Sequence, residues 1–412
     1  MNWQSPAISD ASRRGDYGRV IELVRKEARM TQKQLGEACG LSQSAISRLE
    51  KRGTGSYSRD TLAAVAAHLG IPLRMVGLAE QRTVRNGFEQ VERRAFLGGV
   101  AATATSPILS IAANGDATGN QAAALRLNTA TYRRLDSSTP SRDLAEAVHA
   151  HIRLIQNVTR DVADDGQRPR LAAVGSEAAS LAAWLAWDMG DYGSARSWYG
   201  SAIRAARAAQ DQLLAAYQAG SLAQFEAHAG NGAQALNLAR SARRYLGEQR
   251  PAVADAWLCS VEALAHAASR DERATDRALT RSRAVAEKIR HEDPPPWPWV
   301  FQFDANKVAS CRVTCGARLG LADWVLNDDI AALTSGHAKQ RALLVLDLAA
   351  GHLAAGRIEA AFALASRALD TGLQYRSGRI VERSRAVRRS LSLTSPPKVV
   401  RDFDERLHGV YL

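Results

Sequence analysis

The stretch that decides the fold of the N-terminal part reads TQKQLGEACGLSQSAISRLE and spans residues 31–50. Its pattern predicts two short helices joined by a tight turn. Thr31 can cap the first helix, and Gly40 can provide the left-handed residue that ends it. Ser42 can cap a second helix, Gln43–Lys51, whose apolar residues recur at helical spacing and face inward. The sequence therefore predicts a helix-turn-helix with polar side chains on the outer face of its second helix.

Those outward side chains suit the edges of DNA bases. An amide such as that of Gln43 can bind adenine through two hydrogen bonds, and Arg48 can bind guanine likewise, each pair giving about 1–3 kcal/mol of discrimination. We expect Gln32 to bind a phosphate oxygen, and Lys51 and Arg52 to meet the DNA backbone. The predicted DNA-binding residues are Gln32, Ser42, Gln43, Ser44, Ser47, Arg48, Lys51 and Arg52.

Residues 16–78 resemble the Xre/Cro/C1 type of phage-repressor-like DNA-binding domain, on the motif TQ…LG…GLSQSAISRLE. Tyr17–Arg29 would be the first helix of such a five-helix domain, and Thr61–Leu69 and Pro72–Leu78 the fourth and fifth. This chain has Gly36 where the family usually carries alanine, which we expect to cost roughly 0.5–1 kcal/mol of helix stability. The alternative is a helical bundle whose Gln and Ser side chains are merely solvated.

Length and charge agree with this interpretation. The 412 residues carry a formal net charge of +12 and suffice for two or three domains. Residues 13–59 hold eleven Lys and Arg against five Asp and Glu, a basic balance typical of a DNA-binding module. We place this domain at residues 13–80.

Several classes of site are not indicated. Cys39, Cys259, Cys311 and Cys315 form no disulfide framework or zinc spacing, so we expect buried free thiols and a reducing cytoplasm. No apolar run reaches the roughly 18–20 residues of a membrane span. The chain has no phosphate-binding glycine loop, nucleophile elbow or HExxH motif. We therefore expect no enzyme activity, no cofactor and no metal site.

Residues 81–119 are expected to link two domains, with a connecting helix over Val84–Leu97. Within them, ERRAFLGGVAATATSPILSIAA at residues 92–113 resembles a twin-arginine export signal. Such signals belong at an N-terminus, whereas this one follows a whole predicted domain and Pro107 divides its apolar stretch. A linker that docks on the next domain is the simpler interpretation.

From residue 120 to 390 the pattern is all helical and repeats a helix, a short turn and an alanine-rich second helix. The clearest unit spans Glu177–Gln210, and helices over Gln121–Leu135 and Ser141–Val162 open the array. Residues 391–412 are expected to be a tail. The predicted turns lie at Gly190, Gly230, Ser269, Gly320 and Gly356.

The units GDYGSA (190–195) and AAGRIEAAFALASRAL (354–369) resemble tetratricopeptide repeats. The usual glycine of the first helix is replaced by alanine, and the turns are 36 to 51 residues apart, more than the typical ~34. The resemblance implies a superhelical array with a concave ligand surface. A bundle without that curvature is the alternative. The fold class predicted for the whole chain is all-α.

In that register the first helix of each unit lines the concave surface, with Glu177, Ser180 and Thr314 among the inward residues. Trp184 and Trp187 either pack between helices or contact a ligand. His228 and His266 either bind a ligand or are ordinary residues of the groove or surface. HEDPPPWPW, residues 291–299, must be extended, and its tryptophans either fold back or cover a ligand. The predicted ligand-binding residues are Trp184, Trp187, Tyr217, Gln224, His228, His266, Trp297, Trp299, Asn306, Lys307 and Ser310.

Residues 376–412 are basic again, with nine Lys and Arg against four Asp and Glu. This segment predicts a final helix that is a solvated cap, a second DNA contact or a dimer contact.

Together the two parts resemble the peptide-pheromone-sensing regulators of Gram-positive bacteria and related regulators of filamentous actinobacteria. The resemblance implies a cytoplasmic homodimer, a double-stranded DNA operator with two half-sites, and a peptide or small-molecule effector. The alternative is an adaptor that recruits a protein such as RNA polymerase or a sigma factor. A deep aromatic pocket would favour the effector, and a flat charged groove the adaptor.

Overall fold

The computed structural model is all helical in the residues that it describes, which contain no β-strand. The predicted all-α fold class is confirmed. The described residues are 5–53, 57–78, 117–162, 164–247, 251–289, 303–327, 337–408 and 410.

The N-terminal unit, called the head, has five α-helices and a short 3-10 helix around one apolar core. Its helices are α1 (Pro6–Arg14), α2 (Tyr17–Glu27), α3 (Gln32–Ala38), α4 (Gln43–Glu50) and α5 (Arg59–Leu69), followed by the 3-10 helix Leu73–Val76. Val20, Ile21, Leu35 and Ile46 are fully buried at its centre. The predicted fifth helix is thus a single 3-10 turn, and α5 begins two residues before the predicted Thr61.

Helix α1 lies mostly before the predicted start of the head at residue 13. Ser5 accepts a hydrogen bond from the backbone N–H of Ile8, and Pro6 occupies the first helical position. Ile8 and Ala11 extend the head core. A serine followed by proline is a known helix-start signal, so the sequence carried this information.

The helix-turn-helix has the local geometry that its sequence predicts. Thr31 and Ser42 both cap their helices through the side-chain oxygen, and Gly40 is left-handed with φ +66°. Gly36 has a packing reason as well as a propensity cost. A Cβ at this position would lie 2.6 Å from the carbonyl oxygen of Leu41, so glycine lets the turn fold tightly against α3.

The second unit, called the array, is built of antiparallel helix pairs. Its helices are α6 (Ala117–Leu135), α7 (Ser141–Asp161), α8 (Arg168–Asp188), α9 (Tyr192–Ala208), α10 (Gln212–His228), α11 (Gly232–Leu246), α12 (Ala252–Ala268), α13 (Glu272–Ala286), α14 (Ala305–Leu319), α15 (Ala322–Leu326), α16 (Ala338–Ala354), α17 (Ile358–Gln374), α18 (Gly378–Arg389) and α19 (Lys398–Leu407). All five predicted turns fall between successive helices. Helix α6 begins at Ala117, inside the segment predicted as linker.

Alanine lets the paired helices approach closely. One face of each alanine-rich second helix is almost completely buried, and its residues are Ala195, Tyr199, Ala202, Ala235, Ala239, Ala242, Ala274, Ala278, Ala361, Ala365 and Ala368. A row of methyl groups at helical spacing leaves room for the partner helix and buries apolar surface along the whole pair.

The predicted tail is partly a packed helix. Val400 and Phe403 of α19 are fully buried, and the Phe403 ring meets the Phe362 ring edge to face, with centroids 5.2 Å apart. Helix α19 therefore covers the end of the core that α16 to α18 form.

The two ends of the array meet through a buried polar cluster, called the clasp: Asp136, Ser141, Asp188, Lys339 and Ser377. Lys339 Nζ lies 2.5 Å from Asp136 Oδ1 and 3.3 Å from Asp188 Oδ2, and Ser377 donates to Asp188 at 2.7 Å. Burial by itself would raise the pKa of Asp136, but His337 and Lys339 outweigh it and lower the pKa to about 2. The predicted open concave surface is consequently the wall of a central cavity.

Some predicted features lie outside the described residues. They are the connecting helix Val84–Leu97, the twin-arginine-like segment, and Trp297 and Trp299. None of the described helices is long and apolar enough to cross a membrane.

Candidate nucleic-acid interface and central cavity

The outer face of α4 is open to solvent. Gln43, Ser44 and Arg48 are exposed, as is Lys51 directly after the helix, whereas Ser47 is half-buried. Neither Arg48 nor Lys51 forms an ion pair with any described residue. A row of uncompensated, solvated donors on a helix is the arrangement that phosphate and base contacts require.

At the N-terminal end of α4, the side chains of Gln43 and Gln32 are joined by a hydrogen bond. Gln43 donates its amide to Gln32 Oε1 at 2.8 Å, and Gln32 donates its own amide to Glu50 Oε2 at 2.7 Å. The Gln32 side chain, predicted to bind phosphate, thus orients Gln43 toward the exposed face. Because α3 begins at Gln32, a phosphate contact through its backbone N–H stays a prediction.

A buried ion pair between Arg25 and Glu50 fixes the carboxylate that accepts from Gln32. Arg25 donates to both carboxylate oxygens of Glu50, at 2.6 and 2.9 Å, and to the carbonyl of Met30 at 2.7 Å. Both side chains are under 10% exposed. The pair also removes the negative charge of Glu50 from the recognition face. Sequence reasoning missed it, although an acidic residue at the inner end of α4 was the available signal.

The remaining predicted DNA-binding residues, Ser42 and Arg52, lie just before and just after α4. Ser42 caps α4 and its hydroxyl lies 3.0 Å from that of Ser44. Arg52 lies over the ring of Tyr57, 5.9 Å from its centroid. The Tyr57 hydroxyl accepts from the Gly18 N–H at 2.9 Å and donates to the Gly53 carbonyl, so the start of the basic loop is fixed to α2.

The array surrounds a central cavity of about 860 Å³ that is partly open to solvent, within the ~300–1,000 Å³ range of small-molecule sites. Asn306 and His266 are not among the residues that line it. The predicted residues that do line it are Trp184, Trp187, Tyr217, Gln224, His228, Lys307 and Ser310. The fold brings these seven residues together around one cavity. That they bind a ligand stays a prediction.

Trp184 and Trp187 line the cavity and also pack against other side chains of the array. Trp187 is 2% exposed and meets the rings of Trp184 and Phe225 edge to face, with centroids 5.4 and 5.5 Å away. Trp184 is half-buried, and its Nε1 donates to Asp136 of the clasp at 2.8 Å. A group that contacts Trp184 in the cavity would therefore touch a residue that also joins the ends of the array.

Arginines that sequence reasoning did not assign to the cavity dominate its charge. Arg379 of α18 lies over the rings of Trp187 and Trp184, 4.2 and 4.8 Å from their centroids. Arg318 of α14 donates to the Ala227 carbonyl at 2.7 Å and lies 2.8 Å from His228 Nδ1. Burial lowers the pKa of both arginines and of His228. The basic C-terminal segment thus contributes two arginines, Arg379 and Arg383, to the cavity lining.

The head contacts the cavity wall. Arg196 of α9, paired with Glu226 at 2.7 Å, donates to the carbonyls of Ser12 and Arg13 at the end of α1. The positive guanidinium suits this carbonyl end of a helix. Arg13 lines the cavity and pairs with Glu382 of α18 at 3.1 Å.

Comparison with known families identifies the head. Residues 21–76 match the family HTH_3, described as helix-turn-helix, and this span contains the second part of α2, all of α3 to α5 and the 3-10 helix. Searches among curated proteins and among solved structures give no significant match to the chain.

Proposed function

We propose that this protein is a sequence-specific DNA-binding transcription regulator whose array senses a small ligand. The observation that carries the DNA-binding part is the exposed face of α4, with Gln43 and Arg48 outward and Glu50 neutralised behind it. The helix-turn-helix match at residues 21–76 supports it. Access to chromosomal DNA implies a cytoplasmic place, and the proposal includes no catalytic step.

The aromatic lining of the central cavity supports ligand sensing over the adaptor role, which would call for a flat groove. Arg379, which lines the cavity, and Glu382, which pairs with Arg13 of the head, lie one turn apart on α18. A ligand that favours one position of α18 can change DNA affinity only by its differential affinity for the two states.

We also propose a homodimer on an operator with two half-sites. A lone head makes few phosphate contacts, and a second head doubles them. Because each neutralised phosphate releases counterions, this steepens the salt dependence of binding. Sedimentation of the full chain with and without duplex measures the stoichiometry, and one chain per operator at saturation would contradict the dimer.

The test of DNA recognition begins with selection of duplexes from a random pool by the full-length protein. We expect one enriched sequence, bound at least ~1,000-fold more tightly than random duplex. The variant Gln43→Ala/Arg48→Ala should lose this preference. Arg240→Ala, an exposed arginine on α11, is the matched control and should keep it. Equal binding of all duplexes by the wild type, or an unchanged preference in the double variant, would overturn the proposal.

A further inference from the structure

The walls of the central cavity carry a large excess of positive charge. The described residues that line it include eight arginines and lysines but only two carboxylates, Asp347 and Glu382. Asp347 is bound by Arg383, at 2.6 Å, and Glu382 by Arg13. The six remaining cations have no carboxylate partner among the described residues: Arg133, Arg270, Lys307, Arg318, Arg341 and Arg379.

Two of these six also have donors without an acceptor. Within the described residues, Nη1 of Arg379 and Nε of Arg133 are buried and make no hydrogen bond. Leaving a buried charged donor unsatisfied is costly, more so than for a neutral group. Proteins retain such groups where a function requires them. Here both donors belong to residues that line one cavity.

The shape and fixed orientation of the Arg379 guanidinium indicate which kind of hydrogen-bond acceptor it would bind. A guanidinium remains charged even when burial lowers its pKa, and its fork of N–H groups matches a carboxylate or phosphate. Arg379 is fixed in orientation by the rings of Trp184 and Trp187, so it is preorganised for a planar or tetrahedral oxyanion. The seven aromatic residues of the lining, which include Tyr192, Tyr217 and Phe303, offer apolar surface beside it.

We propose that the central cavity binds a small organic anion, a carboxylate or phosphate on an apolar or aromatic body, with Arg379 and Arg318 facing the anionic group. This inference rests on the proposed ligand sensing and specifies its chemistry. A neutral ligand of the same shape would leave the guanidinium donors unpaired and bind much more weakly.

The experiment uses the full-length chain in phosphate-free buffer and three probes. N-acetylphenylalanine carries a carboxylate, N-acetylphenylalanine amide is its neutral match, and phenyl phosphate carries the other anion. Intrinsic tryptophan fluorescence reports both melting and titration, because Trp184 and Trp187 lie in the lining. We expect at least one anion to raise the melting temperature and to bind at least ~10-fold more tightly than the amide. Which anion does so distinguishes carboxylate from phosphate.

Two variants test the residue assignment. Arg379→Gln should reduce anion affinity at least ~10-fold, and Arg379→Lys should recover part of it because the charge returns without the fork. Arg367→Gln removes an equal charge from the exposed face of α17, outside the lining, and should change nothing. If Arg379→Gln melts far below the wild type, Arg318→Gln gives the same test at a second position.

The proposal is overturned if the neutral amide binds as well as the anions, if neither anion binds up to ~10 mM, or if the anions act equally on both Arg379 variants and the wild type. DNA binding is measured on the same samples. Operator binding without anion binding defeats this inference alone. Anion binding without operator binding defeats the proposed regulator and leaves the anion site standing.

Discussion

The head and the array both present arginines to a partner, but in opposite surroundings. On α4, Arg48 is exposed to solvent, and Glu50 of the same helix is buried against Arg25. In the cavity, Arg379 lies between aromatic rings with a buried, unsatisfied donor. The exposed surface can meet a long polyanion, whereas the cavity has the size of a small-molecule site.

The difference teaches that the burial and neighbours of an arginine, rather than net charge, decide which partner it suits. Solvated cations bind DNA through many weak, salt-screened contacts. A guanidinium in a site of low dielectric gains more from a single anion.

Lys339→Met should have the largest effect, because it leaves Asp136 and Asp188 buried in the clasp without their cation. Breaking a buried ion pair typically costs about 3–5 kcal/mol. We expect the array to lose about that free energy of unfolding in urea, followed by tryptophan fluorescence, and the cavity to open. Lys398→Met, outside the clasp, is the control. An unchanged midpoint would show that the clasp does not hold the ends of the array together.

Arg25→Met should destabilise the head by about 3 kcal/mol, since the buried Glu50 carboxylate then keeps only the half-buried Gln32 amide as a side-chain donor. Hydrogen exchange of the α2 and α4 backbone amides in the full chain measures this locally. Exchange in α12 of the array should not change. Arg25→Met/Glu50→Leu should recover much of the stability, because no uncompensated charge remains. Slow exchange retained in the single variant would contradict the anchoring role.

The array should also show a characteristic pH dependence at Glu177, a buried carboxyl of α8 that does not line the cavity. Burial raises the pKa of this carboxyl to about 7, although Arg126 and Arg133 oppose the rise. Its folded-state pKa lies above the unfolded value, so its contribution to stability is present below about pH 4.5 and lost as pH rises through 7. The unfolding free energy of the wild type minus that of Glu177→Gln should fall between pH 5 and 8. A constant difference would refute the raised pKa.

Lys51→Ala should have the smallest effect, on the open surface alone. Losing one phosphate contact per head lowers the slope of log affinity against log salt by about 1 for each head bound. Anion binding in the cavity, measured on the same variant, should keep its affinity. An unchanged salt slope would place Lys51 away from the DNA backbone.

Local signals in the sequence were sufficient for most of the fold. The caps at Thr31 and Ser42, the turn at Gly40 and the alanine rows each depend on neighbours within a few residues. The clasp could not be predicted, because Asp136 and Lys339 are some 200 positions apart and nothing local marks them as partners.

The same limit applies to the candidate sites. The outward face of α4 follows from helical periodicity, so its residues could be named from the sequence. Arg379 and Arg318 of the cavity come from α18 and α14, and their shared surface arises only when the array closes. Gln32 lies between these two cases. Its position at the start of α3 could be predicted from the sequence, but its hydrogen bonds to Gln43 and Glu50 could not.

The most direct test of the account is a single-base scan of the selected operator with full-length wild type, Gln43→Ala and Arg52→Ala. We predict that Gln43→Ala loses about 1–3 kcal/mol of discrimination at one base pair and keeps it elsewhere, whereas Arg52→Ala weakens binding to every duplex alike. If both variants instead lose affinity uniformly across all base pairs, the exposed face of α4 does not read DNA sequence.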